Sequence, residues 1–271
     1  MAVMSQVLGE TQRAFDGVAL DYDRSNAENA TLCAMRRRTL AAVAAHVPAG
    51  GRILDLGCGP GTDEEALAAR AGAVTAIDWS PLMVEETRRR VMRRGLGDRV
   101  DVHHLGIHEV DRLAPQMFDA VYSNFGPLNC VPNLDEAAPL VADRLRSGGV
   151  LIASVIGRIC PWEIAVHAVR GDWARLRVRF ARELVAVPLN GRAVWTKYYT
   201  PAEFERPFAT AGFSRVSLRA LGLFVPPPYM DGFVRRHPSW VAPLQWLDDR
   251  VGGWPALRAA GDHFLIVMRK R

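Results

Sequence analysis

Between Gly51 and Gly157 the chain alternates short β-branched apolar runs with longer stretches of helical periodicity, and that alternation leaves few folds open. The runs RILDLG, AVTAID, VDVHHL, FDAVYSNF and VLIASVIG read as strands. The segments beginning near Asp63, Pro81 and Asp135 open with acidic residues or proline, as helices do, whereas His108 to Leu113 has room only for a turn or two. Strand and helix in turn make βα units, which build a parallel sheet.

After Gly157 the rhythm breaks. Pro161 to Arg182 reads as a basic amphipathic helical insertion interrupted near Gly171, Pro201 to Ala211 as a helix, and Phe213 to Leu223 and Asp262 to Arg269 as strands. Between the last two, the segment 225–261 opens on prolines and carries Trp240, Trp246 and Trp254, which predicts a packed excursion rather than a linker. The expected division is a helical cap over 1–50, a ligand-binding core over 51–157, a helical insertion acting as a substrate lid over 158–200, and the C-terminal part of the core over 201–271 with its insertion at 225–261.

The 271 residues suffice for one full core. No apolar run approaches the roughly 20 residues that span a bilayer, and the opening MAVMSQVLGETQRAF lacks the order of a secretory signal, so the expected address is the cytoplasm. Cys33, Cys58, Cys130 and Cys160 form no CxxC pair, which points to reduced thiols and to no metal. The formal charge of +5 comes almost wholly from arginine, with Lys197 and Lys270 the two lysines. The runs at 36–38, 88–90 and 93–94 fit solvated helix faces, so the charge is no argument for DNA.

The ligand is written in ILDLGCGPGTD, residues 53 to 63. A glycine-rich turn after the first strand brings backbone close to a ligand. A dinucleotide fingerprint needs G-x-G-x-x-G, but here Gly57, Gly59 and Gly61 are followed by Thr62, and the helix opens on Asp63, Glu64 and Glu65. Carboxylates there oppose a pyrophosphate and favour a ligand carrying an ammonium, which Asp55 is placed to accept. Asp78, ending the second strand, offers two oxygens to two vicinal ribose hydroxyls, with Trp79 beside it for a base.

Through LDLGCGPGTD, AIDWSPLMV and FDAVYSNFGPLNCV the chain resembles the class I S-adenosylmethionine-dependent methyltransferases, over roughly 15–157. The resemblance implies a Rossmann-like α/β fold: a mostly parallel seven-stranded sheet with helices on both faces and an antiparallel last strand, plus helical insertions. It implies S-adenosylmethionine as cofactor and S-adenosylhomocysteine as product, with Asp55, Gly57, Gly59, Gly61, Asp78, Trp79, Met83 and Asn124 around them. Where family members often carry an acidic residue after the third strand, this chain has Gly106-Ile107-His108, so adenine reading falls to Ile107 or His108. FDGVALDYDRSN is similar to the opening of the quinone-biosynthesis C-methyltransferases, which would set Tyr22 over the cofactor; the same residues also suit a packed amphipathic helix.

The loop 124–129 should border the methyl group, because ligands sit at the carboxyl ends of such strands. It reads NFGPLN rather than the [DN]PP[YF] of base-methylating enzymes, which disfavours DNA. Asn129, Tyr22 and His167 are the candidates for touching the reacting atoms; His263, Tyr198 and Tyr199 are further possible bases, each equally explained as a packed side chain. Of His103 and His104 one alone can face a cleft. The Trp-, Phe- and Pro-rich additions after Gly157 suit a lid over a small, largely apolar acceptor. The alternatives are a lipid or quinone acceptor reached by a basic helix resting on a membrane, a non-catalytic cofactor-binding module, and a nucleotide-dependent oxidoreductase on the same sheet.

Overall fold

The computed structural model describes residues 2–271. Three helices come first: α1 (Ala2–Asp16), α2 (Ala19–Ala27) and α3 (Ala30–His46). The βα rhythm follows as β1 (Arg52–Leu56), α4 (Glu64–Arg70), β2 (Ala73–Asp78), α5 (Pro81–Arg93), β3 (Val100–His104), β4 (Phe118–Ser123), α6 (Leu134–Arg144) and β5 (Leu145–Ile156). A 3-10 turn at Ile107–Arg112 fills the short gap after β3.

The later part contains α7 (Pro161–Val169), α8 (Trp173–Val178), β6 (Val185–Leu189), β7 (Arg192–Thr196), α9 (Pro201–Thr210), β8 (Phe213–Leu221), α10 (Asp231–Arg236), α11 (Pro238–Val251) and β9 (His263–Lys270). The break near Gly171 falls between α7 and α8, as its helix-breaking residue predicts. The hairpin β6–β7 was not expected. Its two-residue turn, Asn190-Gly191, holds both residues at positive φ (47° and 76°), the geometry that matches strand twist in a tight hairpin.

Seven strands form one sheet in the order β3-β2-β1-β4-β5-β9-β8. β1 to β5 run parallel, and β9 enters antiparallel between β5 and β8. The expected mostly parallel seven-stranded sheet with its antiparallel last strand is therefore borne out. The strands succeed because both faces of the sheet are covered: Ile53, Val74, Val102, Tyr122 and Ile152 pack toward α3, α4 and α5, while Leu54, Val121, Leu151 and Ile266 pack toward α6 and α9. The order reverses between β1 and β4, so the loops leaving their carboxyl ends diverge and open a crevice. Among the described residues no helix is long and apolar enough to cross a membrane.

Candidate functional site

The crevice is a cavity of about 1570 Å3 counting its open mouth. Its floor is the loops after β1, β2 and β4. Its roof comes from far away in sequence: Leu8, Thr11, Gln12 and Phe15 of α1, with Val187, Leu189, Val194 and Thr196 of the hairpin. The two roof pieces are joined, since Trp195 donates its indole N–H to Glu10 Oε2 (2.6 Å) and its backbone N–H to Thr11 Oγ1 (3.1 Å).

The glycine loop meets three different demands. A side chain at Gly57 would drive its Cβ to 2.3 Å from Pro127, so the loops after β1 and β4 touch only because Gly57 has none. Gly59, at φ 56°, has nothing within 4 Å of a notional Cβ and leaves that space to the cavity. At Gly61 a Cβ would come within 2.9 Å of Thr87 Cγ2 on α5, and Gly61 is not among the lining residues.

Asp78 is half-buried at the end of β2. Its Oδ2 accepts from Gly59 N (2.9 Å) and its Oδ1 from Ser80 N (2.8 Å), which fixes the carboxylate and leaves each oxygen a further lone pair. Burial raises its pKa and the two N–H donors oppose that rise. Trp79 is held by its indole N–H on Leu8 O (3.2 Å) and by its carbonyl, which accepts from Gln12 (2.8 Å). The His108 ring stands edge-on to Trp79 at 4.9 Å, over Gly106, where a Cβ would come within 2.3 Å of the imidazole. Desolvation lowers the His108 pKa, so the ring is neutral near pH 7. Met83 and Ile107 complete this end of the cavity. His104 turns its Nε2 to the carbonyl of Trp79 at 3.0 Å, and His103 pairs with Asp101 at 2.8 Å.

The opposite end holds an excess of negative charge. Asp55 is buried in β1 beside the equally buried carboxylate of Glu64, which among the described residues meets no donor besides the Asp55 acid's own proton. Burial, then the charge of Glu64, pushes Asp55 well above the usual carboxylate range. Burial, then the charge of Asp63, pushes Glu64 up to about 7. Asp63 is not the free helix-opening acid that the sequence suggests. Its Oδ1 takes Arg36 Nε (2.6 Å), and its Oδ2 takes the Tyr122 hydroxyl and Asn124 Nδ2, both at 2.9 Å. Arg36 lines the cavity and lies 5.1 Å over the Phe125 ring, so the run 36–38 is not uniformly a solvated face. Sequence reasoning missed this residue; the signal was Arg36 standing among Leu32, Met35 and Thr39, which are core positions of the helix.

Of the residues singled out by sequence, Tyr22, Asp55, Gly57, Gly59, Asp78, Trp79, Met83, Ile107, His108 and Asn124 meet around this one cavity. Asn124 donates to Asp63 and accepts from Ser154 Oγ (2.8 Å), which locks the loop after β4. Asn129 and His167 stand elsewhere. Asn129 is wholly buried, donates to Ile156 O (3.1 Å) and Lys197 O (2.7 Å), and accepts from Ile156 N (2.9 Å), so its amide has no group left for a reactant. His167 lies on α7, its Nδ1 4.0 Å from Asp172. His263 gives Nδ1 to Asp262 at 2.9 Å behind Phe125, and Tyr198 lies under the Arg179 guanidinium. At the roofed end, burial pushes Cys130 up to about 12 and raises Tyr22, so both stand protonated at neutral pH.

Residues 53–149 match the family model described as a methyltransferase domain. A demethylmenaquinone methyltransferase of Clavibacter sepedonicus is 37% identical over 158 residues, which are 56% of this chain and 60% of that protein. A ubiquinone biosynthesis O-methyltransferase of Xylella fastidiosa (strain 9a5c) is 35% identical over 109 residues, 40% of this chain and 43% of the relative. The chain thus spans less than two thirds of the length of either. Among solved structures, geranyl diphosphate C-methyltransferase from Streptomyces coelicolor A3(2), in complex with Mg2+, geranyl diphosphate and S-adenosyl-L-homocysteine, is similar with a TM-score of 0.57 at 15% identity, over 93% of this chain and 84% of the other.

Proposed function

We propose that this chain, whose residues 53–149 match a methyltransferase-domain model, transfers a methyl group from S-adenosylmethionine to a small, largely apolar acceptor. The observation that carries this reading is the polarity of one cavity: uncompensated buried carboxylates at one end and an apolar roofed chamber beside them. Both ends fit the cofactor. The pair Asp55 and Glu64 lacks the cation that an amino-acid ammonium would bring, and Asp78 keeps lone pairs for two hydroxyls.

In this reading Asp78 orients the ribose, while Trp79, Met83 and His108 enclose the adenine, with the backbone of Ile107 at its edge. Gly57 and Gly59 admit the amino-acid end. Arg36, already ion-paired with Asp63, adds a positive group for a carboxylate, and Asn124 keeps the loop after β4 in register with it. When bound, the cofactor supplies an electrophilic methyl carbon on a sulfonium. The chain's part is then to hold an acceptor atom in line, about 3 Å from that carbon, and to exclude water. Ile156, Val131, Phe15 and the hairpin residues Val187, Leu189 and Val194 form apolar walls for such an acceptor. Tyr22 and Cys130, both protonated, serve as wall or donor rather than as base. The relatives named for demethylmenaquinone and ubiquinone biosynthesis support the same acceptor class. Room for an acceptor also argues for an enzyme over a cofactor-binding module.

Calorimetric titration with S-adenosylhomocysteine and, separately, with NADH tests the reading. Micromolar binding of the former is expected, weakened at least about tenfold in Asp78→Asn, the scale of one lost charge-assisted hydrogen bond. Preference for NADH, or indifference to Asp78→Asn, would overturn it.

A further inference from the structure

A second hollow, about 630 Å3 with its mouth, lies on the other side of α3. Thr31, Met35 and Arg38 line it from one stripe of the helix, at the i, i+4, i+7 spacing of one helical face. Arg36, at 100° per residue, points away from that stripe and into the cofactor cavity. The far wall is the end of β8 (Ala220, Leu221) with Gly222 and Val225 just beyond it, and α11 (Gln245, Asp248, Asp249).

Positive charge is in excess here. Arg37, Arg38 and Arg219 all line the hollow against two carboxylates, Asp248 and Asp249, the latter ion-paired with Arg38. The other acid, Asp248, is occupied by backbone: it accepts from Phe224 N (2.7 Å) and Val225 N (3.5 Å), and burial raises its pKa to about 6. Among the described residues Arg37 reaches the neutral amide of Gln245, at 3.3 Å. Arg219 uses Nη2 on the carbonyls of Asp248 (3.3 Å) and Asp249 (3.0 Å), yet its Nε–H is buried with no acceptor. A buried donor without a partner is costly, and two guanidiniums facing one another repel. Burial and then the charge of Arg38 accordingly lower the Arg219 pKa.

We propose that this hollow is a binding site for a small oxyanion carried on a short apolar body, an organic phosphate or carboxylate. The head would take the guanidiniums of Arg37 and Arg38, with the charge of Arg219 behind them. The body would lie against Met35, Leu221 and Val225. The site is separate from the cofactor cavity and stands whatever the reaction performed there.

The test is calorimetry on the full chain in a chloride buffer, with phenyl phosphate, hexanoate and inorganic phosphate as probes. Phenyl phosphate or hexanoate is expected to bind, and whichever binds tighter identifies the head group. Arg219→Gln should weaken that binding about tenfold, and Asp249→Asn, by releasing Arg38, should tighten it about threefold, while S-adenosylhomocysteine affinity stays unchanged in both. Arg37→Gln, on an exposed position, gives the same downward readout if the Arg219 variant does not fold. Absence of binding for all three probes, or binding indifferent to these variants, overturns the site. Equal affinity for inorganic and phenyl phosphate overturns the apolar body.

Discussion

Glu64 is buried beside a second buried acid, Asp55, and its pKa of about 7 leaves the pair holding a proton near neutrality. A cation arriving at Asp55 reverses that preference, because an adjacent positive charge favours the ionised form. Binding of S-adenosylhomocysteine near pH 6.5 should therefore release a proton, read as a dependence of the observed enthalpy on the buffer's ionisation enthalpy. Glu64→Gln should abolish most of that dependence, and an unchanged release would show that the proton comes from elsewhere. The sequence exposed the acids and their spacing but not their fates. Asp63, Glu64 and Glu65 look alike in a row, yet one is neutralised by Arg36, one is buried against Asp55, and one meets Arg94 at the surface. Arg36, Arg37 and Arg38 part in the same way, because each step around a helix turns a side chain toward a different neighbour.

At the scale of elements, the parallel strands were legible because burial on both faces demands near-continuous β-branched runs, which no helix of that length would need. The hairpin was hidden by Pro188, which argues against a central strand but is tolerated in an isolated two-stranded ribbon; Asn190-Gly191 was the signal that outweighs it. Asn129 is a position whose structural ties the sequence does not display. A polar residue in the loop after β4 reads as a reactant's neighbour, whereas its amide ties that loop to the end of β5 and to Lys197 beyond the hairpin. Asn129→Ala leaves buried partners unmet and should cost about 2–3 kcal/mol, lowering the melting temperature by roughly 4–12 °C. Activity at a temperature where the variant is folded should fall far less than the removal of a reacting group would cause. A large loss of turnover with an unchanged melting temperature would return Asn129 to the chemistry.

For the whole molecule, pH acts through opposed groups. Glu64, with a folded pKa of about 7 against an ordinary 4.5, binds its proton more tightly when folded, so its contribution to stability falls as pH rises from about 4.5 to about 7, and the raised Asp55 and Asp248 act in the same direction. Asp262 is the opposite case: buried, yet held far below the usual range by Arg179 and then by His263, it stabilises the fold above pH 4 and loses that contribution in stronger acid. Urea unfolding of the ligand-free protein at pH 5 and pH 8 should show the larger stability at pH 5, with the difference reduced in Glu64→Gln. Equal differences in both proteins would remove Glu64 from the account.

The clasp between Trp195 and residues 10 and 11 also sets a schedule for assembly. α1 is made before the strand it grips, which lies some 185 positions further on. Contacts of such long range form late, since much of the intervening chain must be ordered before they close. During synthesis the first helix therefore waits, its apolar side uncovered, while the glycine loops and most of the sheet are completed. The chamber gains its ceiling only as β7 arrives, which makes α1 a stretch in need of protection by a chaperone until then.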